Sequence, residues 1–335
     1  MNTARFCALI CLISYSYCRR VVQVVTVASD VNVPFCNFVR SVLSYGYSLN
    51  VISYAKADDP RLLMADKPKL LLKLMQDNEN FKNDSIVVFA DGYDVIVQHD
   101  VDKFYSKYQE LGSPELLFSG ESYCFPFRVN KHVTKYCSVV HKMITDPYGL
   151  LCGGKMRSMM PETRCANANQ NVKVNETLSL RVVFPFINTG IFLGKVNSLM
   201  SFLHEYLDKY DGDPSLRVGT DQGIVHEVFL SKSPQTLQGV VDKRSSIFLN
   251  LCCPRSPLKQ YVTFRREIGL SLNINDEEII PVFLHWPGHA GEGDANYLSM
   301  KDMKRTNINL RDATFTDNLF VHGNTLSKNE IVGKC

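Results

Sequence analysis

Residues 85–96 read Ser85-Ile-Val-Val-Phe-Ala90-Asp91-Gly-Tyr-Asp94-Val-Ile96, and the rest of the architecture is built around them. The apolar run Ile86 to Ala90 predicts a strand buried on both faces, as in a parallel sheet. It ends at Asp91, and a second carboxylate, Asp94, follows three residues later. In α/β sheets, ligands bind at the carboxyl ends of strands. Two carboxylates at such an edge can share one hard cation. Mn2+ and Mg2+ both favour carboxylate oxygens, and such a cation can also hold a diphosphate. The plainer reading is that a strand-end Asp caps the next turn.

Working outward, Val21 to Ala28 is a β-branched strand, and Phe35 to Tyr45 follows with helical spacing. Leu49 to Tyr54 is a second strand, and Lys69 to Met75 is a Leu-rich helix. Further strands are expected at Leu116 to Ser119, Phe186 to Leu193 and Ile279 to His285, with helices at Val196 to Tyr210 and Asp221 to Leu230. Strand–helix–strand alternation predicts an α/β fold: a Rossmann-like, mostly parallel sheet with helices on both faces.

Of 335 residues, 45% are apolar and 21% charged, which excludes a mainly disordered chain. A formal charge of +3 gives no support to a nucleic-acid or acidic-lipid partner. Residues 1–18 have the layout of a cleavable secretory signal: one basic residue, an uncharged stretch from Phe6 to Cys18, then Arg19-Arg20. A buried first element is the alternative. No later run approaches membrane-spanning length. With three of the 11 cysteines in that segment, eight remain, an even number suited to disulfides in an oxidising lumen. Cys124, Cys137, Cys152 and Cys165 recur at intervals of 13 to 15 and mark the expected stapled region. The sequons at Asn83 and Asn175 also fit a secretory route, with the endoplasmic reticulum lumen or the cell exterior as destination. Residues 128–181 hold nine Lys/Arg against three acids and read as an irregular basic insertion.

Several blocks agree in order with one known family. Asp91-Gly-Tyr-Asp94-Val-Ile comes first, then Leu116-Leu-Phe-Ser-Gly-Glu121-Ser-Tyr-Cys124-Phe-Pro126, then Ile187-Asn188-Thr-Gly190-Ile-Phe-Leu-Gly194. Thr220-Asp221-Gln222, Asp242 to Asn250, His285 with Gly288, and Asn296-Tyr297-Leu298 follow. This pattern resembles the glycosyltransferase domain of procollagen lysyl hydroxylases over about residues 21 to 300.

The resemblance implies a GT-A fold, a UDP-sugar donor and Mn2+ (or Mg2+), with Asp91, Asp94 and His285 as metal ligands. A cation bridging two phosphates neutralises the departing UDP, and a neutral imidazole suits Mn2+ as a third ligand. Thr26, Val27, Ala28 and Ser29, ending the first strand, are expected beside the uridine, where backbone groups can read the base. Lys67 or Lys69 is expected near the donor, with a plain surface lysine as the alternative. Asn188 and Gly190 are placed where a sugar packs against backbone. Gly288 and Trp286 are placed on the donor side; Trp286 stacks on a sugar or base, or fills the core. Asp221 holds an acceptor hydroxyl or caps a helix, and Asp242 is placed similarly.

Two departures stand out. The family carries a lysine after its His-Gly element that neutralises the diphosphate, whereas Ala290 to Asp294 has no base here. The family also continues into an iron- and 2-oxoglutarate-dependent domain, for which this chain leaves no room, so lysine hydroxylation is not expected.

The expected arrangement is a signal at 1–18, one GT-A domain at 19–302 and a C-terminal tail at 303–335. The expected activity moves glucose or galactose to a glycan or collagen-like acceptor such as galactosyl-hydroxylysine. A non-catalytic binding module and a UDP-sugar hydrolase are the alternatives. Homo-oligomerisation is left open.

Overall fold

The structure is a computed structural model and describes residues 22–55, 60–82, 85–121, 184, 186–212, 221–232, 240–251, 261–265, 269–274, 277–287 and 317–335. The expected secretory signal and basic insertion, Asn83, Asn175, Gly288, Asn296 to Leu298 and Cys124 through Cys165 lie outside them.

The first strand, β1 (Val22–Ala28), shows why the sheet is covered on both faces. All seven of its residues are buried. Val22, Val24 and Ala28 enter one apolar core, and Val25 and Val27 enter the other, as the two-residue repeat of a strand requires. Helix α1 (Val33–Ser44) begins where the Asn32 carboxamide accepts the Phe35 amide, an N-cap that satisfies an otherwise orphaned donor. It packs Phe35, Phe38, Val39 and Val42 against the first core. After β2 (Ser48–Ser53), helix α2 (Pro60–Asp77) covers the opposite face with Leu71, Leu72, Leu74 and Met75. This helix starts well before Lys69, where the sequence reading placed it, because it runs through Pro68 instead of beginning after it.

The chain continues through β3 (Ile86–Ala90), β4 (Val95–Val97), α3 (Val101–Glu110), β5 (Leu116–Glu121) and β6 (Phe186–Lys195). Helices α4 (Val196–Gly212) and α5 (Asp221–Lys232) follow, then β7 (Val241–Asp242), β8 (Phe248–Asn250), β9 (Val262–Arg265), β10 (Gly269–Ile274), β11 (Glu277–Ile279), β12 (Phe283–His285), β13 (Leu319–His322) and α6 (Lys328–Lys334). The main sheet has seven strands in the order β13-β2-β1-β3-β6-β5-β7. Only β6 runs against its neighbours, β3 and β5; the other pairings are parallel. The expected mostly parallel α/β sheet is therefore present, with α1 and α3 on one face and α2, α4 and α5 on the other. A small sheet, β4-β12-β8, enters the first core through Val95, Val97, Phe248 and Phe283, and shares a third core with the sheet β11-β10-β9.

Two expectations need correction. The strand expected from Ile279 to His285 is two strands in different sheets, β11 and β12. Pro281 interrupts it: it has no N–H to donate, and its carbonyl accepts from the Gln98 side chain at 2.6 Å. The tail drawn from 303 is also not separate from the domain. β13 extends the main sheet by pairing with β2, Leu319 opposite Leu49 and His322 opposite Ile52. Helix α6 then brings Cys335 to Cys36 of α1, forming a disulfide across 299 residues of sequence.

This crosslink closes nearly the whole chain into one loop. Such a closure restricts the unfolded ensemble strongly, with typical effects of about 2–5 kcal/mol. Replacing Cys335 by Ser should lower the unfolding free energy by that amount. Denaturant melts of the variant against the parent check this.

Candidate metal centre

The candidate ligands come from two different sheets. Asp91 follows β3, and its amide donates to the Gly190 carbonyl of β6 at 2.8 Å. The turn after it carries Asp94, whose carbonyl accepts from the Trp286 amide at 2.8 Å. His285 ends β12, directly opposite Val95 of β4 and Asn250 of β8. One ligand atom each of Asp91, Asp94 and His285 falls within 4.8 Å of the others. Residues separated by 194 positions are thus joined by strand register.

The chemistry of the set fits a divalent cation. The Asp94 Oδ1 and His285 Nε2 atoms are both buried and neither has a hydrogen-bond partner. They stand 3.4 Å apart, too far for a good hydrogen bond. With the ring neutral and Nε2 bare, two buried lone pairs would face one another, which is costly unless a proton or a cation lies between them. Two oxygens and an imidazole nitrogen are the donors that Mn2+ and its neighbours accept. Burial alone would lower the His285 pKa, but Asp94, Asp91 and Glu121 reverse this and raise it. The centre is therefore built for positive charge.

The imidazole lies against bare backbone. A Cβ on Gly190 would come within 2.1 Å of His285 Cε1 and 2.6 Å of Nε2. Gly92, between the two aspartates, is similarly constrained: its Cβ would meet Thr26 Oγ1 at 2.7 Å and the Phe35 ring at 3.2 Å. The two glycines thus serve close approach rather than turn conformation.

A fourth charged group reaches the site from α2. Lys67 Nζ sits 2.5 Å from Asp91 Oδ1. Burial works to lower its pKa, but Asp91, Asp221 and Asp94 raise it well above the usual lysine value. Lys69, the other lysine considered, is exposed. Asp221, the first residue of α5, has its pKa raised chiefly by burial and by Asp91, while Lys67 and a Thr189 hydrogen bond oppose this.

Of the other expected residues, Thr26 lies at this edge against Gly92, while Trp286 and Asp242 are committed to packing and to a turn. The Thr26, Val27 and Ala28 side chains are buried, Val27 and Ala28 within the two cores. The Ser29 amide is taken by the Tyr93 hydroxyl at 3.0 Å. Trp286 is 6% exposed and packs in the third core with Leu249, Leu272 and Leu284, so its filling role applies. Asp242 is not available as an acceptor-binding carboxylate. It accepts the Ser246, Ile247 and Phe248 amides and anchors that turn while buried. The Asn188 carboxamide is also committed: its Oδ1 accepts from Gly190 N at 2.9 Å and its Nδ2 donates to Glu121 at 3.1 Å. It supports the backbone beneath His285.

The sequence reading missed Asn250, Glu121 and Gln222 as site residues. Glu121 accepts from both Asn188 and Gln222 while only 3% exposed. The one hint was an acid ending an apolar strand, since a buried carboxylate needs partners.

Comparisons with known proteins agree with the resemblance read from the sequence. The family described as the PLOD GT domain matches residues 19–144. A procollagen-lysine,2-oxoglutarate 5-dioxygenase of Drosophila melanogaster is 22% identical over 271 residues, 80% of this chain and 30% of that protein. The multifunctional procollagen lysine hydroxylase and glycosyltransferase LH3 of Homo sapiens is 29% identical over 107 residues, 31% of this chain and 14% of that protein. The chain thus spans less than a third of the length of these curated relatives.

Gly190→Ala should force the His285 ring out of line. Mn2+ affinity should drop by about 10-fold or more, and the variant should melt earlier because the added carbon overpacks the contact between the two sheets. Calorimetric titration with Mn2+ measures the loss.

Proposed function

We propose that this protein is a Mn2+-assisted, UDP-sugar-dependent hexosyltransferase, acting on a hydroxyl of a collagen-like or other glycosylated acceptor in the secretory pathway. One observation carries the reading: the partnerless Asp94 Oδ1 and His285 Nε2 converge with Asp91 at the carboxyl edge of an α/β sheet. The names of the similar proteins support a collagen substrate and a transferase activity. Among the described residues, no helix is long and apolar enough to cross a membrane.

When bound, the cation would supply charge neutralisation for the departing diphosphate. Asp91, Asp94 and His285 would hold it. Lys67, already attracted to Asp91, would lend a second positive charge to a phosphate at the same edge. In that role it would stand in for the base that Ala290 to Asp294 lacks, against the reading as a non-catalytic module. Asp221 would accept a hydrogen bond from the acceptor hydroxyl. Its raised pKa makes it a stronger proton acceptor than an ordinary carboxylate. Transfer would break the bond from the sugar's anomeric carbon to the diphosphate oxygen and form one to the acceptor oxygen, whose proton would pass to the Asp221 carboxylate.

A screen of UDP-sugars with Mn2+, measuring UDP release with and without galactosyl-hydroxylysine acceptors, tests the proposal. Release should require the acceptor and fall on the order of 100-fold or more in Asp91→Ala and in Asp94→Ala. Free sugar at full rate without acceptor would identify a hydrolase instead. Absence of donor binding at millimolar concentration would sink the transferase.

A further inference from the structure

His285 can serve a cation only if Nε2 carries a lone pair and Nδ1 carries the proton. The structure holds the means to impose that choice. Nδ1 lies 2.6 Å from Asn250 Oδ1, and both groups are buried. A carboxamide can in principle present either its oxygen or its nitrogen. Here the orientation is decided on the far side. Asn250 Nδ2 donates to the Gly120 carbonyl at 2.8 Å, and a carbonyl can only accept. The same nitrogen donates to Ser119 Oγ at 3.0 Å. Ser119 in turn donates to the Asn188 carbonyl at 3.2 Å. With both amide hydrogens used, Oδ1 faces the ring, and Nδ1 must donate to it.

We propose that Asn250 is a positioning residue that locks His285 in the tautomer with Nε2 bare and aimed at Asp94. Metal-bound histidines generally depend on such an outer partner, whose loss costs about 10–100-fold in metal affinity. The strand register makes the contact systematic: Asn250 and His285 are direct partners on parallel β8 and β12. The assignment rests on the reading of Asp91, Asp94 and His285 as the metal site, but its first consequence needs no metal.

Protein labelled with 15N-histidine, metal-free and at a pH where the ring is neutral, reports the tautomer by long-range proton–nitrogen correlation; His285→Ala identifies the signals. The parent should show a protonated Nδ1 and an unprotonated Nε2. Asn250→Leu should show a mixture of tautomers and bind Mn2+ about 10–100-fold more weakly. Asn250→Asp, which keeps an oxygen facing Nδ1 but sets its other oxygen against the Gly120 carbonyl, should keep the parent tautomer while melting earlier. A protonated Nε2 in the parent overturns the proposal, whether or not any variant folds. So does an unchanged tautomer together with unchanged Mn2+ affinity in Asn250→Leu. Undiminished Mn2+ binding by His285→Ala overturns the metal reading itself, and the tautomer measurement then shows separately whether Asn250 governs the ring.

Discussion

The contact between the His285 imidazole and the Cα of Gly190 is the constraint on which the remaining arrangement depends. The ring occupies the space a side chain on β6 would need. It brings the end of β12 in the small sheet β4-β12-β8 against β6 at Gly190, whose carbonyl accepts the Asp91 amide at the end of β3. A conventional side chain at position 190 would hold the two sheets apart, and the carboxylates would lose the nitrogen as a companion. Close-packed interiors do not absorb even one extra carbon without cost.

Around that contact the protein maintains a buried polar chain. Gln222 and Asn188 donate to Glu121, Asn188 supports Gly190 N and accepts from Ser119, and Asn250 joins Ser119 and Gly120 to His285. Burying so many polar groups is unfavourable unless every partner is present. The chain ends at His285 Nε2, which has no hydrogen-bond partner, beside Asp94 Oδ1, which also has none. A network satisfied along its length and left open at one end locates the ligand better than any single residue does. It also links the start of α5, where Asp221 lies, to the metal centre through hydrogen bonds of fixed direction.

Much of this was legible in the sequence, but unevenly. β1, β2 and β3 could be read from apolar continuity, and Asp91 and Asp94 from where that continuity ends. His285 was reached through resemblance, because a histidine after three apolar residues has no periodicity that marks it as a ligand. Asn250 was quoted only as the last residue of a matching block: a strand-end asparagine reads as a turn former, and only strand register makes it the partner of His285. Asp242 misled for the complementary reason, since an acid at a strand end suggests solvent or substrate, whereas three backbone amides fill its oxygens. The 36–335 disulfide had no local signature, and the regular spacing of Cys124 to Cys165 drew attention elsewhere.

The last strand and the disulfide bear on the site although they lie away from it. Cys36 is on α1 beside Phe35, and Phe35 packs against Tyr93, with ring centroids 5.7 Å apart, and lies behind Gly92. Tyr93 in turn fixes the turn after β1 by accepting the Ser29 and Asp30 amides and donating to the Asp30 carbonyl. The helix held by Cys335 is thus the backing for the turn that presents Asp91 and Asp94. β13 covers the outer side of β2 and fastens the chain's end to the same core through Leu319, Leu326 and Ile331. A segment that looked like an appendage in sequence is part of the wall against which the two carboxylates are set. That is sufficient physical reason to place it within the domain.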